Sequence, residues 1–195
     1  PATLLGLHAG VLVDETTTMD YSGIRYARQE WNHTLTLQEA VSSSCVWYFR
    51  QVIDRVGQQV VQEGLDALGY GNCDLSQWAG SGRNPRPELN GFWLDSSLRI
   101  SPVEQVQVLA SIMEGESAYT AAEVDILQSL LLTAETETKT IYGKTGTGYD
   151  GQGWFVGFAK EADQRSYVAV YLDDSQNGGT GQLAKEIALD ILSET

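Results

Sequence analysis

TKTIYGKTGTGYDGQGWFVGFAKEADQRSYVAVYLD occupies residues 138–173 and is the most regular part of the chain. β-Branched and aromatic residues gather there in three runs, Thr138 to Thr145, Gln152 to Lys160 and Ser166 to Asp173. Gly148–Gly151 and Glu161–Arg165 separate them and are short enough for hairpin turns, so an antiparallel meander is expected. In the third run Tyr167, Ala169 and Tyr171 alternate with Val168, Val170 and Leu172, which predicts a strand covered on both faces. Leu183, Ala184, Ile187, Ala188 and Ile191 then recur at helical spacing and predict a terminal helix lying on that sheet.

Upstream the period changes to that of helices. Residues 2–9 are apolar and stop at Gly10. Val11 to His33 reads as a long loop with short pieces of structure. Thr36-Leu37-Gln38-Glu39 is a capping box that opens a short helix, interrupted at Ser42-Ser43-Ser44. Val46, Phe49, Val52, Ile53 and Val56 predict a helix up to Gly57; Val60, Val61, Leu65 and Leu68 predict another, stopped by Gly69. Residues 70–92 are rich in Gly and Pro and read as loop. Ser101-Pro102-Val103-Glu104 combines an N-cap, a proline at the first helical position and a capping glutamate. Val103, Val106, Ala110 and Met113 are expected to form the buried stripe of that helix. Thr120 and Glu123 repeat the box ahead of Val124, Leu127 and Leu131. Helices followed by a sheet and a helix make an α+β fold: a mostly helical lobe over 1–134, then antiparallel strands and a terminal helix over 135–195.

The 195 residues are 42% hydrophobic and 19% charged, enough apolar side chain for a sizeable core. Acidic residues outnumber basic ones 26 to 12, a formal charge of −14, and this field repels phosphate backbones, so nucleic acid is excluded as a partner. No apolar run reaches the ~20 residues of a membrane span. Cys45 and Cys73 are too few for a disulfide scaffold or a structural zinc site. They either pair or remain two free thiols. His8 and His33 lack partners at metal-ligand spacing, so no metal is expected.

Singly, the polar motifs are weak signals. Ser44 before Val46 reads as a helix cap. Tyr70-Gly71-Asn72 reads as a turn and Trp93 as core. Lys144-Thr145-Gly146 puts a cation, a hydroxyl and a residue without a side chain on one strand edge, where an anionic group can be held and a flat substrate can lie against backbone. Taken in order, Ser44-x-Val46, Tyr70-Gly71-Asn72, Trp93 and Lys144-Thr145-Gly146 resemble the motif series of class D, oxacillinase-type serine β-lactamases within the penicillin-recognising family. Glu30-Trp31-Asn32, Leu35 to Ala40, Ser97 to Pro102 and Gly153 to Gly157 resemble that family too, so the likeness runs along nearly the whole chain.

That resemblance implies a β-lactam hydrolase working through a serine acyl-enzyme. The family's Ser-x-x-Lys motif, whose lysine is carbamylated by carbon dioxide and acts as general base, is not among these residues. It is expected immediately before Pro1, as is a continuation of the first helix, which has nothing to cap it; no other cofactor is implied. Ser44 would relay a proton to the departing β-lactam nitrogen. Val46 would keep the base's pocket apolar, and Trp93 would donate its indole N–H to the carbamate. Lys144 and Thr145 would bind the substrate carboxylate, beside Gly146, and the Thr147 N–H would supply half of an oxyanion hole. Tyr70, Gly71 and Asn72 would shape the pocket. Many family members also grip the carboxylate with an arginine near the C-terminal helix, whereas the last arginine here is Arg165. The spacing from Asn72 to Trp93 is longer than is typical. The same resemblance admits the extracellular sensor domain of a β-lactam receptor, or a penicillin-binding homologue with poor turnover. Val46, where sensors tend to carry Asn, favours the hydrolase. An extracytoplasmic location, secreted or membrane-anchored, is implied; the oligomeric state is left open.

Overall fold

A computed structural model describes residues 1–174, 176 and 178–194. In chain order the helices are α1 (Ala2–His8), α2 (Leu37–Ser42), α3 (Val46–Val56), α4 (Gln58–Leu68), α5 (Pro102–Met113), α6 (Ala121–Leu130) and α7 (Gly181–Glu194). The strands are β1 (Thr18–Met19), β2 (Leu35–Thr36), β3 (Leu132–Glu135), β4 (Thr140–Thr147), β5 (Gln152–Glu161) and β6 (Gln164–Asp173). The α+β class and the helices expected from capping and periodicity are present. The chain forms two compact units that interleave in sequence: Pro1–Leu68 with Cys73–Leu98 and Ala118–Leu130, and Gly69–Asn72 with Arg99–Ser117 and Leu131–Thr195. A division at 134 is thereby corrected, since α5 packs on β5 and β6 and groups with the strands.

In the first unit α1 packs against α3, α4 and α6. Gly6 is needed there, because a Cβ would stand 2.7 Å from Leu12 and 2.8 Å from Val52. Leu4, Leu5, Leu37, Ala40, Tyr48, Val52, Ile53, Val61 and Leu65 are buried, and each large apolar side chain so enclosed contributes roughly 1.5–3 kcal/mol. The Thr36–Glu39 box caps α2 as expected: Thr36 Oγ1 accepts from the Glu39 N–H at 3.3 Å and Glu39 Oε2 from the Thr36 N–H at 2.8 Å. The Thr36 N–H and the Thr36 hydroxyl, both donating to Glu39 Oε2, hold the Glu39 carboxyl below its ordinary pKa. Cys45 and Cys73 are not joined in a disulfide, which corrects the option of a pair. Burial pushes the Cys45 thiol up to about 12, so it stays protonated and inert.

In the second unit the sheet order is β3-β4-β5-β6, antiparallel throughout. β3 was not expected: Leu131-Leu132 reads as the tail of a helix, but a hairpin at Thr136–Lys139 returns the chain onto β4. Thr138 therefore lies in the turn and not in the strand. Ile141, Phe155, Ala159 and Val168 point to one face and pack against Ala184, Ala188 and Leu192 of α7. The helix is rotated from the expected stripe, leaving Leu183 and Ile191 43% and 44% exposed. β6 is an edge strand, so Tyr171 is exposed and the expected full cover on both faces is not realised. On α5 the buried stripe is Val108, Leu109, Ile112 and Met113, and Val103 is 66% exposed. Apolar residues flank that stripe on both sides, which hid the true face.

Candidate active site

Ser44, Val46 and Trp93 belong to the first unit; Lys144 to Thr147 and Tyr70 to Asn72 belong to the second. Ser44 is not the cap of α3, because Cys45 holds the N-cap position and makes no side-chain capping bond. Ser44 sits in the preceding turn, exposed, with φ at +52°. A non-glycine residue in the left-handed region is held there by its surroundings at a cost of order 1–3 kcal/mol, and such residues cluster at functional sites. The Ser44 N–H donates to Val41 O at 3.2 Å and the Cys45 N–H to Ala40 O at 2.8 Å. The carbonyl in the same peptide unit as the Ser44 N–H, Ser43 O, accepts from the Trp31 indole Nε1–H at 3.1 Å and from Arg28 Nη1 at 3.4 Å. Val46, half-buried, opens α3. Trp93 is half-buried, edge-on to Phe92 at 5.2 Å, and Phe92 in turn stacks on Trp78 at 5.3 Å.

On β4 the ladder settles which groups face outward. The Gly148 N–H donates to Gln152 O across the hairpin, so Gly146 and Lys144, at alternate positions, also face β5 with their backbone groups. The N–H and C=O of Gly143, Thr145 and Thr147 point to the opposite edge. At Gly143 that edge is occupied, the N–H donating to Leu131 O at 2.7 Å. β3 pairs no further along β4 than Tyr142, so the Thr145 and Thr147 amides lie beyond its end. Lys144 Nζ donates to Thr145 O at 3.0 Å and approaches Thr145 Oγ1 at 3.4 Å, which puts the ammonium at the same edge. A cation and outward amides on one strand edge suit an anionic substrate group and a developing oxyanion. Gly146 is exposed, and a Cβ there would meet only Trp154 Cβ at 3.4 Å, so local packing does not require glycine at this position.

Thr147 has a second task. Its Oγ1 accepts from the Gly181 N–H at 2.9 Å, tying the start of α7 to β4. Gly181 permits the approach, since a Cβ would lie 2.6 Å from Gly146 O. The run Gly178-Gly179-Thr180-Gly181 was the signal for this contact, and sequence reasoning passed over it. Tyr70-Gly71-Asn72 holds the chain leading into α5. Tyr70 OH accepts from Gln105 Nε2 at 2.6 Å, Asn72 N–H donates to Arg99 O at 2.9 Å and Asn72 Oδ1 accepts from the Arg99 N–H at 2.9 Å. Burial pushes the Tyr70 hydroxyl up to about 12, so it is neutral. At Gly71 φ is +58° and a Cβ would collide with Arg99 O. Among the described residues no group of three or more His, Cys, Asp or Glu is placed to hold a metal ion, and no helix is long and apolar enough to cross a membrane.

The penicillin binding protein transpeptidase domain family matches residues 1–193, and the chain belongs to it. Its relatives include β-lactamases and regulatory proteins. It is 34% identical over 194 residues to the probable β-lactamase YbxI of Bacillus subtilis, covering 98% of this chain and 67% of the relative. It is 32% identical over 197 residues to the regulatory protein BlaR1 of Bacillus licheniformis, covering 99% of this chain but only 31% of that protein. A crystal structure of a class D β-lactamase from Bacillus subtilis superposes with a TM-score of 0.86 at 32% identity, over 99% of this chain and 76% of that one. The four-stranded antiparallel sheet with its helices is the class D β-lactamase fold.

Proposed function

We propose that this protein is a class D serine β-lactamase. It hydrolyses β-lactam antibiotics outside the cytoplasmic membrane through an acyl-enzyme, with nucleophile and general base supplied by a Ser-x-x-Lys pair preceding Pro1. The Lys144–Thr147 edge, with its ammonium and outward Thr145 and Thr147 amides, carries the reading. In acylation the serine Oγ bonds to the lactam carbonyl carbon, the ring C–N bond breaks, and the nitrogen takes its proton through Ser44. Lys144 and Thr145 hold the substrate carboxylate, with the Thr147 hydroxyl able to donate while it accepts from Gly181. The Thr147 N–H faces the developing oxyanion. In deacylation the oxygen of water replaces the serine oxygen, one of its protons returns to serine, and the ring-opened acid leaves. The lysine carbamate, where carbon dioxide has added, supplies the general base; Val46 and Trp93 are the residues of this chain assigned to its pocket. An apolar wall such as Val46 favours the neutral amine, the form that takes up carbon dioxide.

A second reading, a β-lactam receptor domain that stays acylated, draws on the similarity to regulatory protein BlaR1. Val46 at the start of α3 favours hydrolysis. Full-length protein mixed with a chromogenic cephalosporin separates the two. Continued release of product beyond one equivalent is expected. A single burst equal to the protein concentration would assign the receptor role, and no release would remove both readings.

A further inference from the structure

We propose that Trp31 is a positioning residue that holds Ser44 in its left-handed conformation; the functional part of this rests on the proton-relay role given to Ser44 above. A peptide unit is a rigid plane, so pinning both of its ends fixes the dihedrals on either side. The plane joining Ser43 to Ser44 is held at its N–H by Val41 O and at its C=O by the Trp31 indole and the Arg28 guanidinium. The next plane is held at the Cys45 N–H by Ala40 O. Both planes that meet at the Ser44 Cα are thus fastened. Of these four bonds, two go from Ser44 and Cys45 to carbonyls at the end of α2 and one comes from Arg28 at the exposed rim. The Trp31 bond is the one delivered from a buried side chain outside that turn.

Trp31 is itself anchored on the far side of Ser44. Its backbone C=O accepts from the Trp47 Nε1–H at 3.1 Å, and Trp47 lies in the first turn of α3. The residue therefore grips the chain at position 43 with its side chain and at position 47 with its backbone, bracketing the strained serine. Asn32 stiffens the platform: its Oδ1 accepts from the Tyr26 N–H at 2.7 Å, and its Nδ2 donates to Tyr26 O at 3.0 Å and to Arg28 O at 3.2 Å. The Trp31 ring packs edge-on to Tyr26 at 6.0 Å, and Arg28 lies over its face at 5.2 Å. These contacts involve the ring and not the N–H, so the two functions of the side chain can be separated by mutation.

Trp31→Phe in the full-length protein keeps an aromatic ring and deletes the donor. Amide exchange is the readout that needs no activity: the Ser44 and Cys45 N–H groups are expected to exchange about tenfold faster, with α4 unchanged. Unaltered exchange at both overturns the proposal. Acylation by a fluorescent penicillin is the functional readout. Trp31→Phe is expected to slow the acylation rate constant by about tenfold to a hundredfold at unchanged noncovalent affinity. Ser44→Ala should slow it at least as much, and the double variant should match Ser44→Ala alone. Losses that multiply, or a wild-type rate for Trp31→Phe, would show that Trp31 does not act through Ser44. If the wild-type protein is not acylated, the proposed function falls, while the exchange data still judge the clamp. Should Trp31→Phe fail to fold, site-specific replacement of Trp31 by benzothienylalanine keeps the bicyclic ring and deletes only the donor to Ser43 O; it is expected to move exchange and acylation in the same directions, and no change in either would overturn the proposal.

Discussion

Strand β4 and the turn at Ser43–Cys45 present polar groups by opposite means. In β4 the ladder does the work: regular alternation sends the Thr145 and Thr147 amides to one edge, and glycines let neighbouring groups close in. In the turn no regular structure is available. A residue without a favourable left-handed conformation is held there by bonds to Val41, Ala40, Trp31 and Arg28 on the adjoining peptide planes. A ladder tolerates loss of side-chain polarity but not bulk added where neighbouring backbone closes in, as at Gly157, whereas a pinned turn tolerates removal of bulk but not loss of a donor.

The largest effect should come from added bulk in the sheet. A Cβ on Gly157 would collide with Tyr142 O and stand 2.9 Å from Gly143 Cα, both backbone atoms that cannot rotate away. Gly157→Ala is expected to cost about 3 kcal/mol, read as a lower denaturant midpoint. A wild-type midpoint would show that the strands adjust and would blur the contrast.

A smaller loss is expected at the cap that leads into the turn. Thr36→Ala should cost about 1 kcal/mol by removing one side of the capping box. That contribution depends on pH. The Glu39 carboxyl is held below its unfolded value by hydrogen bonds from Thr36, so its stabilisation is present above the ordinary carboxylate range and lost as pH falls through the lowered folded value. Melting temperatures of wild type and Glu39→Gln should differ at neutral pH and converge in acid. A gap that persists in acid would assign the effect to packing.

The smallest effect carries the opposite sign. Ser44→Gly relieves a left-handed serine at φ +52° and should raise stability by about 0.5 kcal/mol, measured by denaturant unfolding, while it removes the hydroxyl. A destabilised variant would show that the serine side chain contributes more to the turn than its strain takes away.

The capping boxes at Thr36, Ser101 and Thr120, the glycine stops at Gly57 and Gly69, and the two hairpins of the meander are all local devices, and all are where the sequence placed them. Errors arose where a pairing or packing partner, and not the local residue pattern, decides the outcome. β3 is strand only because β4 lies beside it. The rotation of α5 and α7 follows the surfaces they meet, which composition on all sides of each helix concealed. Ser44 looked like a cap because serine before an apolar run usually is one, and only the bonds of Cys45 and Ser43 move it into the turn.

Short-range order, the family and the identity of the polar motif residues could all be read from the residues in line, because capping, turn chemistry and periodicity act over a few positions. The outward edge of β4, the double fastening of Ser44 by Trp31 and Arg28, and the close seating of Gly181 against Gly146 could not. Each depends on how a strand pairs with its neighbours or on a contact between separate segments of the chain, and such contacts exist only after the chain has closed its loops and paid the entropy of doing so.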